Sequence, residues 1–260
     1  MFMSEISDKR MLSSLSNALR ILRSYSMDKP SQGITEMSSS LQLGKSTVHR
    51  LVSTLSNEGF LVKDSETQKY RLGYSVLALS GVITSSLDIY TESLPIVRRL
   101  VDSVGETAHI AILDGEEVIY VMKIECNHLV RFLTHVGRRN PLYCTSSGKV
   151  LLAYKEAAFI ERIIDQGLIK HSSTTLTDPD VLRQHLHKIK QDGYATSYEE
   201  LSEGVHSVAA PIRDYTGQVT AAITIVGPKQ RMVRSKIPFF VKKVRDASQE
   251  ISEKLGYYRR

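Results

Sequence analysis

Residues 45–55 carry the first pattern in this chain that could do chemistry. Val48, Leu51, Val52 and Leu55 recur at i, i+3, i+4 and i+7, which predicts a helix with one buried stripe. Lys45, Ser46, His49, Arg50 and Ser53 then share the opposite face: two fixed cations, a histidine, two hydroxyls and no carboxylate. A surface helix usually mixes both signs of charge. A face without acid suits phosphates and base edges. Arg50 can grip a guanine edge with two hydrogen bonds, or a phosphate. Ser46 and Thr47 fall in the first turn, where hydroxyls and free backbone N–H groups suit a phosphate. The competing reading is a helix that binds a protein.

A second stretch, Tyr143-Cys144-Thr145-Ser146-Ser147-Gly148, leads into a helix start. Its N–H groups and hydroxyls could hold an anion. Ser207, Thr224 and the loop from Ser197 to Gly204 could close over it. The plainer alternative is that Ser146 simply caps the helix.

Other motifs are weaker. Gly44-Lys45-Ser46 looks like the end of a phosphate-binding loop, but Ser39 stands where the earlier glycine belongs. Ser146-Ser147-Gly148-Lys149 fits the S-x-x-K nucleophile motif and raises the alternative of a serine hydrolase using Ser146 and Lys149. Its usual companions S-D-N and K-T-G are absent from the chain. The eight histidines are scattered. His185 and His187 point to different faces of a helix, so no metal site is expected, and no cofactor is implied. Lys229 to Arg245 holds seven Lys/Arg and no acid. It reads as a solvated helix face, or as a counter-surface for Glu199, Glu200 and Glu203, before it reads as a second nucleic-acid surface.

The elements that must position these residues follow from periodicity. Leu15, Ala18, Leu19, Leu22 and Tyr25 predict a first helix ending near Met27, after a loose arm over residues 1–10. Thr35 is the expected N-cap of a short second helix, with Ile34 just outside it. Gly44 opens the third helix and Gly59 closes it. Phe60–Lys63 and Lys69–Leu72 read as two strands that bring Lys63, Lys69 and Arg71 beside that helix. Three helices and a basic hairpin make a winged helix-turn-helix over residues 11–73. Residues 74–104 are helical and rich in apolar positions, interrupted at Pro95; they read as a linker and dimer contact. The other reading is that they pack within their own chain.

From Thr107 the period becomes that of strands. Thr107–Leu113 and Glu116–Glu125 flank Asp114-Gly115, a hairpin signal. Further strands are expected at Leu129–Thr134, Tyr194–Glu199, Val205–Arg213 and Gln218–Val226. Helices are expected from Ser146, over Ala157–Gln166, from Pro179 to Asp192, and from Met232 to Lys254. Residues 105–257 thus form an α+β domain.

Composition bounds the function classes. The chain has 260 residues and a formal charge of +6. Residues 1–73 hold ten Lys/Arg against seven Asp/Glu, and the remainder 24 against 21. Net charge therefore does not single out the helical region, and the local arrangement carries the nucleic-acid reading. Cys126 and Cys144 lack metal spacing and are expected to be reduced. No apolar run is long enough for a membrane span, so a cytoplasmic protein with no membrane partner is expected.

Taken together, these motifs resemble the IclR-type bacterial transcriptional regulators over nearly the whole chain. The match runs through Ser16-Asn17-Ala18-Leu19-Arg20-Ile21-Leu22, Gly44-Lys45-Ser46-Thr47-Val48-His49-Arg50-Leu51, Glu58-Gly59-Phe60-Leu61 and Tyr70-Arg71-Leu72-Gly73. It continues through Val136-Gly137, Pro141–Ala153, Asp192-Gly193-Tyr194-Ala195, Gly204-Val205, Ala209-Ala210-Pro211-Ile212 and Gly227-Pro228. The resemblance implies a winged helix-turn-helix, a helical linker and a C-terminal effector domain with a GAF-like antiparallel sheet. It implies a homodimer or dimer of dimers on a double-stranded DNA operator, regulating nearby catabolic genes, with repression the expected sign. The effector implied is a small organic acid or aromatic. By position, effector contacts fall on Ser146, Ser147, Ser197, Ser207, Thr224 and Val226, with Cys144 in the same loop. Ser197 stands where small-acid binders of the family have an acid, and Val226 where they have a hydroxyl. Gly44 replaces a frequent proline.

Overall fold

The structure, a computed structural model, describes residues 12–26, 28–128 and 134–258, and at 84–86 the backbone alone. Contacts divide the chain into two compact units, Met1–Ser86 and Leu87–Arg260. Of the stretch 74–104, the first helix thus falls with one unit and the second with the other.

The first unit runs α1 (Ser13–Arg23), β1 (Ser31–Gln32), α2 (Ile34–Leu41), α3 (Lys45–Asn57), β2 (Leu61–Lys63), β3 (Tyr70–Leu72) and α4 (Tyr74–Ser86). Its core is Ile21, Met37, Val48, Val52, Leu61 and Tyr70, with Leu51 and Leu55 packed against it. Each aliphatic side chain buried in this way stabilises the unit by roughly 1.5–3 kcal/mol. The buried stripe of α3 thereby fixes which face it turns outward.

Three local expectations change. α1 stops at Arg23, because Ser24 turns the chain: its N and Oγ both donate to the Ile21 carbonyl, at 3.1 and 2.7 Å. The Ser24 carbonyl in turn accepts from Gln32 Nε2 at 3.0 Å. Buried Gln32 belongs to β1, a strand absent from the sequence reading, which pairs with β3 to give a three-stranded antiparallel wing in the order β1-β3-β2. Gly33, not Thr35, is the N-cap of α2, and Glu36 reaches back to accept from its N–H at 2.8 Å. Gly44 and Gly59 hold their expected places at the ends of α3. Gly73 is required for a different reason, since a Cβ there would lie 2.0 Å from the Gly59 carbonyl oxygen.

The second unit begins with α5 (Asp88–Val104), which passes through Pro95 as one helix where an interruption was expected. Its buried side chains Ile96, Val97, Leu100 and Val101 give it a packed inner face that outweighs the missing N–H. Then come β4 (Thr107–Asp114), β5 (Glu117–Ile124), β6 (Arg139–Pro141), α6 (Ser146–Ala153), α7 (Ala157–Asp165), α8 (Pro179–Asp192), β7 (Ala195–Tyr198), β8 (Val205–Arg213) and β9 (Val219–Pro228). A short 3-10 turn, Arg234–Lys236, precedes α9 (Ile237–Lys254), where a single helix from Met232 was expected; Pro238 in the first turn of α9 marks the break.

The strands form one antiparallel sheet in the order β6-β5-β4-β9-β8-β7. α5 and α9 cover one face, over Ile110, Met122, Val208, Ile223 and Ile225. α6, α7 and α8 cover the other, over Ala111, Val118, Ala209 and Ala222. β6 was read as loop, being three residues that include a proline. The arm 1–10, Met27 and, except for Thr134, the expected strand Leu129–Thr134 lie outside the described residues; Thr134 itself is not in a strand. β7 stops at Ala195, opposite Ala209. Beyond that point Ser248 Oγ donates to the Pro211 carbonyl, and the Arg213 N–H donates to Ser252 Oγ at 3.0 Å.

Candidate functional sites

In the first unit α3 turns Lys45, Ser46, Thr47, His49 and Arg50 to solvent and half-buries Ser53. Among the described residues neither Lys45 nor Arg50 has an ion-pair partner. The wing cations differ from one another. Lys63 lies over the Tyr70 ring at 5.9 Å and Arg71 over Tyr74 at 5.9 Å. Lys69 instead donates to Glu36 at 2.8 Å, and that hydrogen bond holds the exposed Glu36 carboxyl below the usual carboxylate range. Lys69 is thus already engaged, which its place in the sequence did not reveal.

In the second unit the strand registers assemble a site from distant segments. Ser197 pairs with Ser207, Ser207 with Val226, and Val226 with Thr107, so these four form one row across β7, β8, β9 and β4. Two residues along, Thr224 pairs with His109. Side chains two apart on a strand share a face, so both rows look toward α6. Ser197, Ser207, Thr224, Val226, Cys144, Ser146 and Ser147 together line one cavity of about 440 Å³.

The entry to α6 is tightly built. Thr145, not Ser146, is the N-cap: its Oγ1 accepts from Gly148 N at 3.0 Å. Ser146 is thereby released, and its Oγ shares a hydrogen bond with Ser207 Oγ at 2.7 Å. A Cβ on Gly148 would lie 2.4 Å from the Leu142 carbonyl oxygen, so only glycine lets the helix start this close to its approach strand. Ser197 Oγ reaches the Cys144 carbonyl at 3.5 Å.

The cavity wall includes residues that sequence reasoning did not single out: His109, Tyr120, Arg138, Asn140 and Val205. His109 stacks on Tyr120 with ring centroids 4.7 Å apart and approaches Thr134 Oγ1 at 2.9 Å. Burial, helped by the Lys123 ammonium, pushes its pKa down to about 3, so the ring is neutral. Burial and nearby Glu200 push the Cys144 thiol up to about 12, which leaves it protonated and a poor nucleophile. Two buried hydroxyls of the wall, Ser147 Oγ and Thr224 Oγ1, have no hydrogen-bond partner. The Tyr120 hydroxyl lies near Ser147 without closing that bond.

Behind the cavity, Lys149 Nζ donates to both carboxylate oxygens of Glu200, at 2.5 and 2.7 Å. Lys149 is fully buried and Glu200 is 5% exposed. Burial works against charge on both, pushing the amine down and the carboxyl up, while each partner favours the other's charged form. With Lys149 held by Glu200 and Ser146 by Ser207, the S-x-x-K pair is not arranged as nucleophile and base.

A larger, more open groove of about 710 Å³ lies where α8 ends beside β8 and α9. Arg213 sits there against the Tyr154 ring at 4.8 Å and donates to the Gly217 carbonyl at 2.8 Å. None of the unpartnered buried polar atoms found among the described residues lines this groove, whereas two line the cavity at α6. The two buried hydroxyls without a partner distinguish the smaller cavity from this groove. Among the described residues no three His, Cys, Asp or Glu side chains converge on a metal position, and no helix is long and apolar enough to cross a membrane.

A winged helix-turn-helix followed by a sheet domain that holds a small cavity is the build of a DNA-binding transcriptional regulator. The sequence profile described as the IclR helix-turn-helix domain matches residues 14–65, and that of the bacterial transcriptional regulator IclR C-terminal domain matches residues 82–253. The chain belongs to the IclR family of bacterial transcriptional regulators. It is 37% identical to the HTH-type transcriptional regulator KipR of Bacillus subtilis over 89% of this chain and 92% of that protein. It is 31% identical to the HTH-type transcriptional regulator KdgR of Escherichia coli over 87% of this chain and 86% of that one. An IclR homolog from Microbacterium hydrocarbonoxydans, solved in complex with 4-hydroxybenzoate, superposes with a TM-score of 0.83 at 27% identity, covering 93% of this chain and 98% of its own.

Proposed function

We propose that this regulator reads its operator through α3 and the wing, and is switched by a small organic or aromatic acid in the cavity at α6. Lys45, Ser46, Thr47, His49, Arg50 and Ser53 are assigned to the major groove and its phosphates. Lys63 and Arg71 are assigned to the flanking backbone, with Lys69 secondary because Glu36 holds it. One such helix reads only a few base pairs, so the working form is a dimer or dimer of dimers on a near-palindromic site. Exposed Tyr74, Leu77 and Leu79 on α4 supply apolar surface for that association. The protein acts in the cytoplasm and represses its targets.

The observation that carries the effector assignment is the pair of unpartnered hydroxyls, Ser147 Oγ and Thr224 Oγ1, in the wall of the cavity at α6. A ligand carboxylate would accept from Ser147 and the first turn of α6, where the helix dipole favours an anion. The neutral His109–Tyr120 stack offers a flat wall to a planar body. Binding would shift the population between two states of the effector domains, and the helices over 74–104 would pass the change to the DNA heads.

Two measurements test the reading. A thermal-shift screen of small carboxylates, 4-hydroxybenzoate included, should find a stabilising compound whose effect disappears in Ser147→Phe; an undiminished shift in that variant refutes the cavity assignment. A gel shift on the upstream intergenic DNA should be lost in Arg50→Ala; binding equal to wild type refutes the assignment of α3.

A further inference from the structure

Residues 201–203 roof the cavity, and the residue just before them ties the roof to α6. Leu201, Ser202 and Glu203 line the cavity, and the segment joins β7 to β8. At its base Glu199 takes a left-handed backbone, φ 62°, a conformation that a side chain other than glycine's seldom adopts. The Glu199 N–H donates to the Val205 carbonyl at 2.8 Å, and its Oε1 accepts from Gly204 N at 2.7 Å. Lys229, just past β9, holds the same base: its N–H donates to the Gly204 carbonyl at 2.9 Å and its Nζ to Glu199 Oε1 at 3.0 Å. None of these bonds reaches α6. Glu200 does. Its carboxylate turns inward to Lys149, and its carbonyl accepts from Ser172 Oγ at 3.2 Å and Thr175 Oγ1 at 2.7 Å.

Lys149 stands on α6, three residues beyond Ser146, and Ser146 and Ser147 line the same cavity. Glu200 directly precedes Leu201. The ion pair therefore joins two walls of one cavity that are far apart in sequence. An apolar pair of the same size would fill the space as well, and replacing a buried ion pair in that way is often neutral for overall stability. What two carboxylate oxygens on one ammonium add is orientation.

We propose that Lys149 and Glu200 are a positioning pair for the cavity: their buried ion pair fixes residues 201–204 as its roof and sets how fast a small molecule enters and leaves. The statement about exchange of small molecules rests on the cavity being the effector site; the statement about the roof does not.

Hydrogen exchange on the full-length chain without ligand separates the two. In Lys149→Met/Glu200→Leu, amides of 199–205 should exchange at least about tenfold faster, while β4 and β9 keep their wild-type protection, as expected when a local unit loosens within an intact fold. Unchanged protection of 199–205 in the folded variant overturns the proposal. Should that variant fail to fold, Glu200→Gln decides by the same comparison: faster exchange confined to 199–205 supports the pair, and unchanged protection, or equal loss across β4, β9 and the roof, overturns it. The second arm uses 4-hydroxybenzoate as probe. If it binds the wild type, its dissociation should quicken in Glu200→Gln, and an unaltered rate overturns the claim about entry and exit. If it and the other carboxylates fail to bind the wild type, the effector reading is what fails, and the exchange result still judges the roof.

Discussion

Ser146 Oγ and Ser207 Oγ lie 2.7 Å apart, joining the first turn of α6 to β8. The bond exists because Thr145 has taken over the capping of the helix. Ser146 is 1% exposed, so either hydroxyl alone in that wall is a desolvated polar group. Ser207→Ala should cost about 1–3 kcal/mol in urea unfolding, the penalty for orphaning a buried hydroxyl. Ser146→Ala/Ser207→Ala should cost less than the sum of the single changes; strict additivity would mean that the bond contributes nothing.

His109 makes stability depend on pH. Its folded pKa of about 3 lies below the value of about 6.5 expected in the unfolded chain. As pH falls, protons therefore bind the unfolded chain first. Stability is intact above about pH 6.5 and drains as the pH falls toward 3. Between pH 7 and pH 5 the loss from this one residue is about 2 kcal/mol. Urea midpoints of the wild type and His109→Gln should thus converge on acidification, and parallel curves would refute the assignment.

The wing cations should differ in the salt dependence of DNA binding. Each phosphate left without its cation lowers the slope of log K against log salt by about 0.9. Lys63→Ala should produce most of one such drop. Lys69→Ala should produce much less, because Glu36 already holds that ammonium. Equal slopes for the two variants would place both on phosphates.

Gly73→Ala tests the backbone contact at the start of α4. The added methyl meets the Gly59 carbonyl oxygen at 2.0 Å, backbone against backbone, where nothing flexible can give way. The first unit should lose at least about 1–3 kcal/mol, as overpacked sites do, and α3 with it. Operator affinity should fall along with thermal stability; wild-type melting would show that the two segments part easily.

What the chain disclosed in advance follows physical range. The two faces of α3 were legible because helix periodicity is local, as were Gly59 at the end of that helix and the Asp114-Gly115 hairpin. β1 was not, since two residues have no period and Gln32 is recruited by Ser24. The serines of the cavity could be named from their motifs and from the family resemblance. Their neighbours His109 and Tyr120 could not, because the His109–Thr224 register joins β4 to β9 across most of the domain. The Lys149–Glu200 pair stayed hidden for the same reason. Lys149 invited a catalytic reading only while its partner, 51 residues away, was out of sight.

Ser248 and Ser252 of α9 occupy the backbone carbonyl of Pro211 and the N–H of Arg213 at the stretch of β8 that β7 leaves uncovered. A bare strand edge is a template for another chain. Here one carbonyl and one amide of that template are spoken for, and Pro211 itself has no N–H to offer. These two bonds make that stretch of β8 a poorer template for a strand from another copy.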